Sequence, residues 1–370
     1  MTTPARTDTT GSQRLRADVR AVSRGVGSLH LGRFALLGLL VLVFALFSLI
    51  KPGEFPTWAN VQVTLDQQSP ILIGGLAVMI PLLTGAIDLS VAANISLANI
   101  LLAGLTTNDH LSVGLAVLLA ILASTTIGLI NGLIVEKLQV TSFVATLAMA
   151  TLLGGVGLAY SHSTDILTVP SGVTSLVRTQ VAGLPLSVWY SFAAMAVVWF
   201  VLRYLPAGRK LRAVGANPRA AALTGIRPGR YRIVSFTVGG TLAGIAGVVL
   251  TGQLGSATAA GTADSLLLPI FAAVFLGSTV FTPGRLNVPG LLVAALFLSF
   301  VSSGLVMVGA PAWESPLING AALIAAVALS SWAQRLRARR FRAEQLRQLE
   351  DDDQGEPDTA VADGATRIRS

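Results

Sequence analysis

Ten apolar runs, most of them close to twenty residues long, limit what this chain can become. They lie at about 34–50, 61–84, 87–105, 111–131, 141–160, 186–205, 233–254, 266–281, 288–308 and 316–332. Their apolar residues come in blocks rather than at helical or alternating spacing, so they read as membrane spans and not as faces of a soluble core. Inside a bilayer a helix satisfies its own backbone hydrogen bonds. The expected fold is therefore all-α: a polytopic transmembrane helix bundle of about ten spans. Composition agrees, because 53% of the 370 residues are hydrophobic and 12% are charged, about half the charge of a soluble domain.

Charge sets the orientation. With ten spans and a cytoplasmic N-terminus, 24 of the 26 Lys and Arg residues fall on the cytoplasmic side, and only Lys51 and Arg178 fall outside. Cytoplasmic loops carry this bias, so both termini are expected inside. The net charge of +8 then reflects membrane orientation, and no nucleic-acid partner is expected. Residues 1–33 read as a disordered basic tail, 34–334 as the membrane domain, and 335–370 as a second tail, basic and then acidic. The absence of Cys excludes disulfides and thiolate chemistry. The three His residues are scattered, and there is no phosphate-cradling G-x-x-x-x-G-K-[ST] loop. No cofactor and no metal site are expected.

Residues 203–232 carry eight Lys or Arg and no acid, which marks a cytoplasmic loop. Inside it a short helix has both ends encoded. Asn217 suits the N-cap, Pro218 the first helical position and Gly225 the left-handed exit. Arg219, Ala221 and Ala222 lie between. Two readings stand: a rigid knob that another protein grips, and an ordinary connector with orienting arginines.

Within the spans, polar residues are few. Asp88 reads as the only acid well inside its apolar stretch, where an unpaired charge costs several kcal/mol. It is either a group at the translocation path or a cap at the start of the third span, with Ser90 beside it. Asn94 and Asn99 follow, as path residues or as interhelical glue, and Gln67 and Gln68 are weaker path candidates. Only Gly85 and Ala86 separate the second and third runs, so one of these is expected to be broken or re-entrant. Gly240, Gly244 and Gly247, with Gly128 and Gly132, have the small-residue spacing of close helix packing. Packing within one subunit is weighed there against a dimer seam. Gly154, Gly155 and Gly157 also read as packing glycines.

An ion-coupled carrier needs buried ionisable groups; this chain offers Asp88. A permease driven by a separate ATPase needs none, but does need a surface to receive the ATPase stroke. Three segments are specific here: LTGAIDLSV at 83–91, GRKLRAVGANPRAAALTGI at 208–226 and GGTLAGIAG at 239–247. In this order they resemble the membrane subunits of bacterial ABC sugar importers, the ribose, xylose and galactose permeases of the branched-chain-type superfamily, over about residues 34–334. The resemblance implies that Gly215, Asn217, Pro218, Arg219, Ala221, Ala222 and Gly225 belong to a helix coupled to cytoplasmic ATP-binding subunits. It implies an external solute-binding protein, a second permease subunit, a sugar substrate, a bacterial plasma membrane location and no catalysis by this chain. The sequence departs from the family at Gly85-Ala86 and Ala92-Ala93, where glycines are usual, and at 262–268 and 282–287. The alternatives are an amino-acid or nucleoside permease of the same superfamily, or a proton-coupled carrier using Asp88.

Overall fold

The computed structural model describes residues 34–311 except 260, 262 and 263, with scattered positions from there to 328. Both tails lie outside the described residues, as does most of the tenth apolar run.

Twelve helices are named here: α1 (Ala35–Ile50), α2 (Trp58–Leu82), α3 (Val91–Thr107), α4 (Val113–Lys137), α5 (Ser142–Tyr160), α6 (Ser171–Arg178), α7 (Leu186–Tyr204), α8 (Pro206–Ala216), α9 (Pro218–Leu223), α10 (Pro228–Leu254), α11 (Leu267–Gly277) and α12 (Val288–Met307). Between α6 and α7 a two-residue antiparallel hairpin pairs β1 (Gln180–Val181) with β2 (Leu184–Pro185). Six helices (α2, α4, α5, α7, α10 and α12) are long and apolar enough to cross a membrane; α1, α3 and α11 are shorter apolar helices.

The bundle is ordered by which helices are wet by the membrane. Helices α2, α3 and α10 form the centre: residues 68–81 of α2 and 91–100 of α3 are all buried. On the periphery, α1, α4, α5 and α7 turn large apolar side chains outward, among them Leu42, Leu49, Leu118, Leu122, Phe143, Leu152, Val197 and Phe200. A soluble monomer does not expose so much contiguous apolar surface; a lipid-facing bundle must.

The central crossing is made by glycines. A Cβ placed on Gly240 would lie 2.9 Å from the Cα of Gly128 and would overlap the Ser124 carbonyl oxygen. A Cβ on Gly244 would meet Ile121 Cα at 3.0 Å, and one on Gly247 the Ile95 carbonyl oxygen at 2.7 Å. The small-residue pattern thus brings α10 onto α4 and α3 inside one subunit. Gly154 and Gly155 differ: neither has a neighbour within 4 Å of a built Cβ. Their α5 face is bare in this chain, which corrects the packing expected from their sequence.

Several boundaries also shift. Helix α3 starts at Val91 rather than near 87, because residues 86–90 form no regular secondary structure. Helix α4 continues through Glu136 and Lys137, where Glu136 gains an ion-pair partner. The eighth run yields only the 11-residue α11, about 16 Å long at 1.5 Å per residue, against the ~30 Å hydrocarbon core. Beyond it, 278–287 is irregular, and Asn287 satisfies part of that backbone. Its Nδ2 donates to the carbonyls of Gly277, Val280 and Arg285, while its Oδ1 caps α12 at Gly290 N, 2.7 Å away.

Candidate functional site

Three features stand out from the packing: a protruding knob, a knotted link and a polar cavity.

The knob is α9. Asn217 ends α8 and starts α9, its extended backbone (φ −158°, ψ 100°) turning the chain between them. Its Oδ1 accepts from Ala220 N at 3.1 Å, and Pro218 occupies the first helical position, where no N–H is needed. The exit is a Schellman turn. Gly225 N donates to the Ala222 carbonyl (3.0 Å), and Ile226 N to the Ala221 carbonyl (3.2 Å), with Gly225 at φ +80°. Ala221 is buried and seats the helix, whereas Leu223 is 91% exposed, and Arg219, Ala220 and Ala222 are exposed beside it. That leaves a bare leucine on a short helix capped at both ends. The sequence did not reveal that α8 precedes it as a helix; Pro206 at its first position was the available signal.

Around the knob the charge is one-sided. Among the described residues the one ion pair is Arg232 Nη1 to Glu136 Oε2, 2.7 Å long, tying the start of α10 to the end of α4. Partial burial, with Arg285 and Arg203 nearby, holds the Arg212 guanidinium below its ordinary range, as expected of like charges gathered without an acid between them.

The knot is the link 83–90. Gly85 turns the chain at φ +82°. The segment then runs between α4 and α5, and side chains satisfy its amides. Ile87 N donates to Ser142 Oγ and Leu89 N to Thr146 Oγ1, both at 3.0 Å. Asp88 is buried, and its Oδ1 accepts from Ser90 N (2.9 Å) and Ser90 Oγ (2.6 Å). Asn131 Nδ2 on α4 completes the chain by donating to Ser90 Oγ at 2.8 Å. Asp88 and Ser90 thus act together at the head of α3, with Asp88 bonding Ser90 rather than the first helical amides. Asn94 donates to the Ser124 carbonyl of α4 (3.2 Å), and Asn99 to Thr251 Oγ1 of α10 (3.0 Å); both bonds cross between helices.

The cavity, about 410 Å³, lies between α2, α11 and α12, within the usual range for small-molecule sites. Asn60, Gln67, Gln68, Ser299, Ser302 and Ser303 supply its polar groups, and none of its lining residues is charged. Ser303 Oγ donates to Asn60 Oδ1 at 3.0 Å. One turn beyond Ile71 the helices close: a Cβ on Gly74 would lie 2.7 Å from Ile270 Cδ1, and one on Gly75 2.7 Å from Leu291 Cδ1. The cavity therefore ends in an apolar floor. Asp88, Ser90, Asn94 and Asn99 are not among its lining residues. The serines escaped the sequence reading, although positions 299, 302 and 303 fall on one helical face. So did Asp66, a second acid in the run 61–84. Its Oδ1 accepts from Ser187 Oγ and from Gln253 Nε2, the latter at 2.9 Å.

A family model described as the branched-chain amino acid transport system permease component matches residues 61–327. A ribose import permease of Haemophilus influenzae is 31% identical over 293 residues, covering 78% of this chain and 90% of the relative. A ribose import permease of Bacillus subtilis is 32% identical, covering 79% and 90%. An L-arabinose ABC transporter permease of Azospirillum brasilense is 30% identical, covering 80% and 87%. No solved structure matches. A match across most of the chain, joined to membrane-length helices around a glycine-packed centre, places this protein in the branched-chain-type ABC permease family of the bacterial inner membrane.

Proposed function

We propose that this chain is the membrane subunit of an ATP-driven importer that passes a neutral monosaccharide from an external binding protein into the cytoplasm. It crosses the membrane ten times with both termini inside, and two such subunits, identical or homologous, complete the path. The observation that carries this reading is α9, a capped knob with a bare leucine in a basic loop that has no acid of its own. A helix seated in a partner's groove transmits a stroke, so cytoplasmic ATP-binding subunits grip it, with Gly215, Asn217, Pro218, Arg219, Ala221, Ala222 and Gly225 setting its shape. The chain itself breaks no bond.

The substrate class follows from the cavity. Amides and hydroxyls without charge suit the hydroxyls of a sugar, whereas an amino-acid zwitterion needs paired charges. The relatives named for ribose and arabinose agree. Sugar enters past Gln67 and Gln68 and meets the floor at Ile71. The Asp88–Ser90–Asn131 knot stands at the far end of α2, and Asn94 and Asn99 brace the helices beside the path. The test is uptake of labelled ribose, L-arabinose and D-allose into proteoliposomes holding the permease, its ATP-binding subunit and its binding protein. ATP-dependent accumulation of one sugar is expected. Uptake without the ATPase that collapses with the proton gradient would instead establish a secondary carrier working through Asp88.

A further inference from the structure

The knob must push on something. Helix α8 runs back from α9 into the bundle, and its penultimate residue, Gly215, rests on the backbone of the 83–90 link. A Cβ there would overlap the Leu83 carbonyl oxygen and lie 3.0 Å from its carbonyl carbon and 3.4 Å from Gly85 N. Gly85 faces back, its own built Cβ 3.9 Å from the Gly215 carbonyl oxygen. This is backbone against backbone, with no flexible side chain between to absorb a displacement. The connection from Gly215 to the knob is equally short: Ala216 and then Asn217, the N-cap of α9.

On the other side of the contact, the link is built to pass displacement on. Leu83 follows directly on α2, whose outer half lines the cavity through Asn60, Thr64, Gln67 and Gln68. Ser90 leads directly into α3. The residues between are held by Ser142, Thr146 and Asn131 side chains rather than by a backbone ladder. Side-chain hydroxyls can exchange partners at lower cost than a helix can break its ladder.

We propose that Gly215 is the positioning residue through which the coupling helix drives the α2–α3 link, and that this link, with Asp88 and Ser90 at its centre, converts the ATPase stroke into movement of α2 at the sugar cavity. The inference rests on the import reading above and names the element that receives the stroke.

The test uses the assembled importer in proteoliposomes and reads sugar moved per ATP hydrolysed. Gly215→Ala forces Leu83 away; overpacking of this kind lowers sugar moved per ATP by about tenfold or more, while ATP hydrolysis and subunit assembly persist. Thr146→Val frees the Leu89 amide without adding bulk and lowers the same ratio, which covers the case in which Gly215→Ala fails to assemble. Gly240→Ala is a comparable packing insult on the α4–α10 crossing, driving a Cβ into the Ser124 carbonyl oxygen away from the contact, and lowers stability but leaves the ratio unchanged. The chain has no Cys, so a single Ile87→Cys, at an exposed position on the link, reports movement: its thiol-labelling rate changes on ATP addition, and Gly215→Ala abolishes the change. An unchanged ratio in both Gly215→Ala and Thr146→Val, or ATP-insensitive labelling at position 87, overturns the route alone. Absence of ATP-dependent uptake by the unaltered chain overturns the import reading and the route with it.

Discussion

The same substitution in two helices of this bundle should have opposite signs. At Gly240 the atoms met by a new Cβ are all backbone: the Ser124 carbonyl oxygen, Gly128 Cα at 2.9 Å and Gly128 N at 3.0 Å. No rotamer change relieves them, so Gly240→Ala must push α10 off α4. Overpacking costs about 1–3 kcal/mol, and the gain from Ala over Gly inside a helix, roughly 0.5–1 kcal/mol, offsets little of it. At Gly155 nothing lies within 4 Å, and the helical gain stands alone. The helical gain is common to both, so the two variants should differ by the overpacking cost, about 1–3 kcal/mol, Gly240→Ala below the parent and Gly155→Ala slightly above. Denaturation of the purified subunit in mild detergent, followed by tryptophan fluorescence, measures both. Equal shifts in the same direction would refute the argument, since they would mean that α4 and α10 do not meet through their glycine backbones.

Four further outcomes follow from the same geometry. Asn217→Ala removes the α9 cap, costs about 1 kcal/mol, and should lower ATP-dependent uptake while leaving membrane insertion intact; immunoblotting of membranes separates the two. Gly225→Val has open space around it but an unfavourable φ of +80°, so backbone strain of about 1–3 kcal/mol should distort the knob and uncouple hydrolysis from transport, read as ATP turnover without sugar uptake. Ser302→Leu fills the cavity and should raise the sugar concentration for half-maximal uptake without altering basal ATP hydrolysis. Glu136→Gln breaks an ion pair that is only about three-quarters buried; such pairs contribute roughly 0.2–1 kcal/mol, so uptake should stay within about fivefold of the parent.

The membrane class and the knob could be read directly because their signals are local. Asn217, Pro218 and Gly225 are three residues whose backbone preferences permit one short, capped helix, and the structure has that helix. The glycine spacing in α10 likewise needed only the periodicity of one helix to suggest close packing; which helix it meets is a tertiary fact. Gly154 and Gly155 mark the limit of that logic: the same residue type on α5 faces nothing, because spacing records opportunity and not a partner. The cavity was legible only at Gln67 and Gln68. Its other walls come from α11 and α12, some 200 residues away in sequence, and Asn60 and Ser303 become neighbours only when α2 and α12 cross. A break between the second and third runs was expected from Gly85 and Ala86, but its length was not: α3 starts at Val91 rather than near 87, since an apolar run does not say where a backbone held by distant hydroxyls will leave the helical path.

The two seams on α4 differ in a way that bears on which parts move. Against α10, α4 presents Gly128 and Gly132 to the backbone of Gly240 and Ile233, with the Thr125–Thr241 hydroxyl pair (3.0 Å) and the Glu136–Arg232 ion pair on the same seam, so sliding there produces overlap and breaks paired groups. Against α3, it presents Ser124 and Asn131, and the contacts are polar and incompletely paired: Asn94 Oδ1, Ser124 Oγ and Asn131 Oδ1 are buried without a hydrogen-bond partner among the described residues. Unpaired acceptors beside available donors make a second set of hydrogen bonds accessible, because Asn94 can trade the Ser124 carbonyl for its hydroxyl without leaving a new group unsatisfied. Helices α4 and α10 are thereby a block, and α3 is the element with alternatives. Displacement entering at Gly215 meets the head of α3 through Ser90, on the side where repacking is cheap. The tight glycine seam behind it holds α4 and α10 together while α3 moves.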